Sequence, residues 1–309
     1  MIEAHELSKY YGDYPALDRA SFKVKQGQIV GFLGPNGAGK TTTLRILTGY
    51  MPPTSGWAKI ANFDVTREAL DARQHIGYLP EKVPLYPDMT AQGYLEFMAG
   101  LRGLAKKRQA AQRALEKVGL APRARSLVRH LSKGMRQRLG LAGALIHEPP
   151  VLILDEPTIG LDPQQVRDVR ALVRDLGQNH TVIFSTHILS EAEQICDSVI
   201  IIQGGRIVAQ DSPTQLRDRL QVNGRVYLRG RGPQQKLLDL VAKVNGVAEV
   251  APYQDGVVVR PKNGQEIRPA LAEALAKNNI ALLELRPLAS SLEDIFLELT
   301  ELGGTNRNA

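Results

Sequence analysis

The chain has 309 residues, one cysteine and a formal charge of +7. A lone cysteine cannot close an intrachain disulfide, which excludes a disulfide framework and suits a reducing compartment. The length exceeds one average domain, so one large domain with a smaller appendage is expected. Positive balance suits an anionic partner such as a nucleotide, nucleic acid or lipid surface. Yet the basic residues of "LRGLAKKRQAAQRALEK" and "RARSLVRHLSKGMRQRL" follow amphipathic patterns and read first as solvated helix faces. Aromatics are too sparse for a base-stacking platform. No run of about eighteen apolar residues occurs, so no membrane span is expected. The opening "MIEAHELSKYYG" lacks the positive stretch and apolar core of a signal peptide.

In chain order, the first informative stretch is "GQIVGFLGPNGAGKTTTLRILTG". It reads as a short apolar strand, "IVGFL", a glycine-rich loop and a helix opening near Lys40. Gly34, Pro35, Asn36, Gly37, Ala38, Gly39, Lys40 and Thr41 fit the pattern G-x-x-x-x-G-K-[ST], with Thr42 following. Glycines let backbone N–H groups point at phosphate oxygens, and the helix adds its own free N–H groups and positive dipole end. Lys40 is expected to reach the outer phosphates of a nucleotide and Thr41 to hold Mg²⁺. Kinases, GTPases, helicases and transport ATPases share this loop. From about Leu85 to Leu131 the chain reads as helices, including the basic segment before the stretch "LSKGMRQRL".

"VLILDEP" is an apolar run without alternation, which suggests a central parallel strand covered on both faces. Ligands of such sheets sit beyond the carboxyl ends of the strands. Asp155 is therefore expected to face the phosphate loop and hold Mg²⁺ through water, and Glu156 to polarise the attacking water. A second strand, "TVIFST", ends in His187, placed to contact a terminal phosphate or the catalytic water. From about Gly224 the motifs stop. The remainder reads strand, helix, strand, strand, helix, strand, which suggests a small two-layer β-α-β-β-α-β domain, followed by a short helix in "SLEDIFLELTEL" and a frayed end.

These pieces in this order resemble the ATP-binding subunits of the ABC (ATP-binding cassette) transporter family, over about residues 2 to 220. "GPNGAGKTT" resembles the phosphate loop, "VLILDEP" the acid strand, "GLDP" the D-loop, "STH" the switch histidine and "LSKGM" the signature usually written LSGGQ. The resemblance implies an α/β P-loop cassette spanning 1–220, with a helical subdomain at about 85–140, plus a small α+β accessory domain at 221–309. It implies a Mg²⁺-dependent ATPase, with Glu156 and His187 catalytic. It further implies that Ser132 and Gly134 press on the γ-phosphate of ATP held by a partner subunit, in a homodimer or a pair with another ABC subunit. Tyr11 then stacks on adenine, with Tyr10 the lesser candidate, and Glu81 stands where a glutamine is usual, still able to contact the metal.

Lys133 and Met135 depart from the signature pattern. Lys133 either adds attraction for the γ-phosphate or points to solvent, and solvent is the preferred reading. Leu85, Tyr86, Tyr94 and Phe97 are candidates for the core or for a groove receiving a membrane subunit's coupling helix. The tail "SLEDIFLELT" resembles that of ATPases serving simple exporters, nearest the gliding-motility and multidrug types. The expected protein is thus cytoplasmic and peripheral on the inner face of the cell membrane, driving a separately encoded transmembrane permease, with no nucleic-acid partner. A soluble ABC ATPase acting on ribosomes or nucleic acid is the alternative, and a non-hydrolytic regulatory subunit a second.

Overall fold

The computed structural model describes residues 1–216, 225–262 and 265–287. The chain divides into two compact units, Met1–Ser212 and Pro213–Ala309. Among the described residues the strands form three sheets, two in the first unit and one in the second.

In the first unit, β1 (Ile2–Tyr11) and β2 (Tyr14–Val24) form a hairpin, joined in an antiparallel sheet by β4 (Ser55–Ile60) and β5 (Phe63–Asp64) in the order β2-β1-β4-β5. The second sheet contains β3 (Ile29–Leu33), β6 (Ile76–Leu79), β7 (Val151–Leu154), β8 (Thr181–Thr186), β9 (Ser198–Gln203) and β10 (Arg206–Asp211). Its order is β10-β9-β3-β8-β7-β6, parallel throughout except for the antiparallel edge strand β10. Every residue of β3, β7 and β8 is buried. That explains the uninterrupted apolar runs, because a strand covered on both faces has no solvent side to mark with polar residues. On one side α1 (Lys40–Leu47) packs Leu44, Ile46 and Leu47 into a cluster with Leu7, Leu17, Phe22, Val30 and Phe32.

The other side is covered by α3 (Ala91–Leu101), α4 (Lys107–Lys117), α5 (Lys133–Leu145) and α6 (Pro163–Gly177), whose apolar residues meet Leu79, Leu152, Leu154 and Phe184. The helix α4 buries Ala110, Ala111, Ala114 and Leu115 and leaves its lysines and arginines exposed, so its basic charge is a solvated face. Shorter helices α2 (Ala69–Gln74) and α7 (Leu189–Ile195) complete the unit.

The basic segment before the signature is not the expected helix. It holds two single 3₁₀ turns, Ala121–Arg123 and Val128–His130, with a proline at the start of the first. Its backbone is bonded to another stretch of chain: Ser126 and Ala124 carbonyls accept from Ala91 and Gln92, while Val128 and Arg129 donate to Met89 and Pro87 carbonyls. Those bonds take the donors and acceptors that a helix would use internally.

In the second unit, β11 (Val226–Gly230), β12 (Val247–Tyr253), β13 (Gly256–Pro261) and β14 (Leu282–Pro287) form an antiparallel sheet in the order β12-β13-β11-β14. Helices Gln234–Val241 and Arg268–Lys277 intervene, so the described elements follow the β-α-β-β-α-β order. Leu237, Val241, Leu271 and Leu275 pack on Val226, Leu228, Val257 and Val259. The expected helix in "SLEDIFLELTEL" lies outside the described residues. No described helix is long and apolar enough to cross a membrane.

Candidate functional site

The loop from Gly34 to Gly39 joins the end of β3 to the start of α1. Gly39 has φ 108, in the left-handed region, and a Cβ there would stand 2.6 Å from the Ala16 carbonyl oxygen. Only glycine satisfies both the dihedral and the close approach. Lys40 is buried at the mouth of the loop. Its ammonium donates to the carbonyls of Gly34 at 2.8 Å and Pro35 at 3.3 Å and lies 3.3 Å from Glu156 Oε1. A cation held this way, beside free amides at a helix start, is a site for a polyphosphate.

Asp155 and Glu156 follow β7 directly. Asp155 Oδ1 accepts from Ser185 Oγ at 2.7 Å and Thr41 Oγ1 at 3.3 Å. Burial pushes the Asp155 carboxyl above its ordinary range, the two hydroxyls oppose the shift, and the fields of Glu81 and Glu156 add to it. Ser185 Oγ also accepts the Glu156 backbone N–H at 2.8 Å, so one hydroxyl aligns both acids. Glu156 has φ 46, a left-handed conformation rare for a non-glycine residue. Its Oε2 lies 3.0 Å from His187 Nδ1. Lys40, Glu156 and His187 thus form one chain of contacts.

A second, deeper brace holds this arrangement. Glu191 on α7 is 2% exposed, and its Oε2 accepts from Thr158 Oγ1 at 2.9 Å and Thr186 Oγ1 at 3.0 Å. Thr158 lies two residues after Glu156, and Thr186 immediately precedes His187. Sequence reasoning missed Ser185, Thr158, Thr186 and Glu191. The one signal available was the run of hydroxyl residues flanking the acid pair and the histidine.

The loop opens into a cleft of about 480 Å³. Tyr11, Tyr14, Pro35, Asn36, Gly37, Gly39, Lys40, Thr41, Thr42, Glu81 and Glu156 line it. Of the two tyrosine candidates Tyr11 lines the cleft and Tyr10 does not, while Tyr14 was not foreseen. Gly34 and Ala38 build the loop from behind, Ala38 being buried with its N–H bonded to the Pro35 carbonyl. Ser132 and Gly134 do not line the cleft. Ser132 Oγ instead caps α5, accepting from Met135 N at 3.3 Å, and Lys133 reaches across to Gly160. Thr41, Asp155 and the nearby Glu81 and Glu156 offer hard oxygen donors, which fit Mg²⁺. That ion binds through one or two protein oxygens together with phosphates and water. A dedicated cage of three or more His, Cys, Asp or Glu is absent among the described residues, and such a mode needs none.

Comparison with known proteins bears directly on this site. Residues 17–159 match the ABC transporter family. The bacitracin transport ATP-binding protein BcrA of Bacillus licheniformis is 38% identical, over 99% of this chain and 98% of that protein. The chain belongs to the ABC transporter ATP-binding subunits. The linearmycin resistance ATP-binding protein LnrL of Bacillus subtilis (strain 168) is 35% identical, over 97% of this chain and 98% of the relative. A dimeric ATP-binding cassette solved in a post-hydrolysis state with ADP and Pi superposes with a TM-score of 0.62, at 26% identity over 69% of this chain and 98% of that one. This ABC subunit is therefore an ATPase with the P-loop fold.

Proposed function

We propose that this ABC ATPase closes on a second copy of itself around two MgATP and uses closure and reopening to drive export through a separate transmembrane permease. The observation that carries the reading is the contact chain Lys40–Glu156–His187 at the mouth of the phosphate loop, with Lys40 and Glu156 buried and His187 at its exposed end. Lys40 and the loop amides bind the outer phosphates. The carboxylate of Glu156, held between an ammonium and an imidazole, polarises the water aligned on the terminal phosphorus, and His187 keeps that carboxylate turned toward the cleft. Mg²⁺, when bound by Thr41 and Asp155 with Glu81 nearby, neutralises charge developing on the phosphates. Tyr11 and Tyr14 at the rim offer apolar faces to the base. Ser132 and the start of α5 from the second copy complete the site, adding a hydroxyl and a helix N-terminus against the γ-phosphate.

Transport is supported by full-length relatives named for bacitracin transport and linearmycin resistance. A groove of about 680 Å³ also supports it, lined by Tyr50, Leu70, Arg73, Tyr78, Met98, Leu101 and Arg102. Tyr50, Leu70 and Leu101 are exposed there, an apolar surface suited to a permease element and to a peripheral place on the inner membrane face. Of the four residues considered earlier, none lines this groove: Tyr94 is core, and Tyr86 packs against both Tyr94 and Phe97.

The test is ATP turnover by the purified chain and by Glu156→Gln, with Mg²⁺ and with the metal chelated. Turnover that needs Mg²⁺ and falls roughly 100-fold or more in the variant, while ATP still binds, supports the assignment. A variant as active as the wild type contradicts it.

A further inference from the structure

A cavity of about 610 Å³ lies between the segment after β6 and the start of α5, and it shares Glu81 and Ile159 with the nucleotide cleft. Its size falls within the range of about 300–1,000 Å³ typical of small-molecule sites. Part of its wall is apolar, made by Val83, Leu85, Pro87, Val128 and Ile159. A Cβ at Gly140 would stand 2.4 Å from Val83 Cγ1, so the missing side chain lets α5 lie directly against that wall. The rest is cationic. Lys82, Lys133 and Arg136 line the cavity with exposed side chains, and among the described residues none of the three has a carboxylate partner. Arg129 is already paired with Asp88 at 2.7 Å. Glu81 is the one acid among the described lining residues, so the cavity keeps a surplus of positive charge that attracts an anion.

Gln137 is an independent sign of a ligand. It shares one face of α5 with Lys133 and Arg136, at the spacing that makes helix neighbours, and it too lines the cavity. Gln137 is only 9% exposed, and its side-chain nitrogen has no hydrogen-bond partner. A buried donor without an acceptor is costly and rare in native structures. We propose that this cavity binds an amphipathic organic anion, a small molecule with a compact apolar body and one acidic group. The acidic group lies against Lys82, Arg136 and the Gln137 amide, and the body against Val83, Leu85 and Val128. A bare oxyanion would leave the apolar wall in water, and a neutral apolar molecule would leave the cations and the amide unmet. The occupant also touches Glu81 and Ile159 beside the nucleotide cleft, and the start of α5, which the shared-site reading offers to a second copy. On that reading, occupancy opposes closure and slows ATP turnover.

The probe is 8-anilinonaphthalene-1-sulfonate, whose fluorescence rises when its rings leave water, titrated onto the dilute full chain without nucleotide beside its uncharged relative N-phenyl-1-naphthylamine. One saturable sulfonate site per chain is expected, with the uncharged relative bound at least about 10-fold more weakly. Lys82→Glu and Arg136→Glu change exposed side chains and are each expected to weaken sulfonate binding about 5-fold while leaving the uncharged relative unaffected. Gln137→Leu removes the donor at similar bulk and is expected to weaken sulfonate binding by about the same factor. Leu101→Asp, in the other groove, is expected to change nothing. Retained ATP affinity shows that each variant is folded. Displacement by ADP puts the probe in the nucleotide cleft, and displacement by millimolar inorganic phosphate makes this a bare anion site; either overturns the proposal. So does a sulfonate affinity indifferent to all three substitutions in the cavity. The probe is further expected to slow wild-type turnover over the concentrations at which it binds, and binding without inhibition overturns the regulatory role. A chain that turns over ATP without any dependence on assembly refutes the shared-site reading instead, and the binding result stands apart from it.

Discussion

Asp155 is buried with hydroxyls rather than a cation against its carboxylate, and its pKa lies above the ordinary aspartate value of 3.8. Between that value and the raised one the folded chain holds a proton that the unfolded chain has released, so stability falls as pH rises through this window. The cost is fully present above the raised pKa. Asp155→Asn, whose side-chain oxygen can still accept from Ser185 and Thr41, is expected to raise Tm at neutral pH. The gain shrinks as pH falls toward about 4, while Mg²⁺-dependent turnover is lost. Thermal melts of both proteins across that range check the sign, and a gain that grows on acidification contradicts it. Glu191 makes a complementary case. Glu191→Ala leaves two buried hydroxyls without their acceptor and is expected to lower kcat about 10-fold with nucleotide affinity retained, and Glu191→Gln to recover most of it. Steady-state kinetics with a nucleotide titration decide. Lys40, Thr41, Asp155, Glu156 and His187, which the structure brings together, could be proposed from sequence because each lies at the start of α1 or just beyond the end of β7 or β8. Glu191 could not, because its partners come from the turn after Glu156 and from the end of β8, and no spacing in sequence announces a three-way contact.

At the scale of elements, strands were easier to read than helices. The apolar runs of β3, β7 and β8 name their own burial, since a strand covered on both faces cannot alternate. The basic segment at 121–130 reads as helix on composition alone, but two of its carbonyls and two of its amides are bonded to residues 87–92, a tertiary choice that periodicity does not encode. The groove proposed above is lined by Met98, Leu101 and Arg102 with residues after α1, of α2 and of β6, whereas Leu85 lines a separate cavity with Glu81 and Val83. Arg102 is tied there by donation to the carbonyls of Arg73 and Ile76, and burial pushes the Tyr78 phenol up to about 12, with the field of Asp155 adding to the shift. If this surface seats the permease, Leu101→Asp places an unpaired charge in the contact. Co-purification with a membrane partner is then expected to fall at least about 10-fold while ATP binding by the isolated chain is kept. Undiminished co-purification points to docking elsewhere.

For the whole molecule, the chain divides between Ser212 and Pro213, and the sheet of the second unit has its own helices and its own apolar cluster. Its strand order comes from pairings between residues far apart in the chain, which local pattern does not carry. The central claim concerns more than one copy: residues 131–135, which hold no acid, cysteine or histidine, are proposed to act on a neighbour's nucleotide. The most direct measurement is the solution mass of Glu156→Gln by size-exclusion chromatography with light scattering, in ATP, in ADP and without nucleotide, repeated with Ser132→Arg added. The account predicts a dimer in ATP only, trapped because hydrolysis is blocked, and its loss when Ser132 is replaced. A chain that binds ATP yet stays monomeric at every concentration, or a dimer indifferent to Ser132, would contradict it.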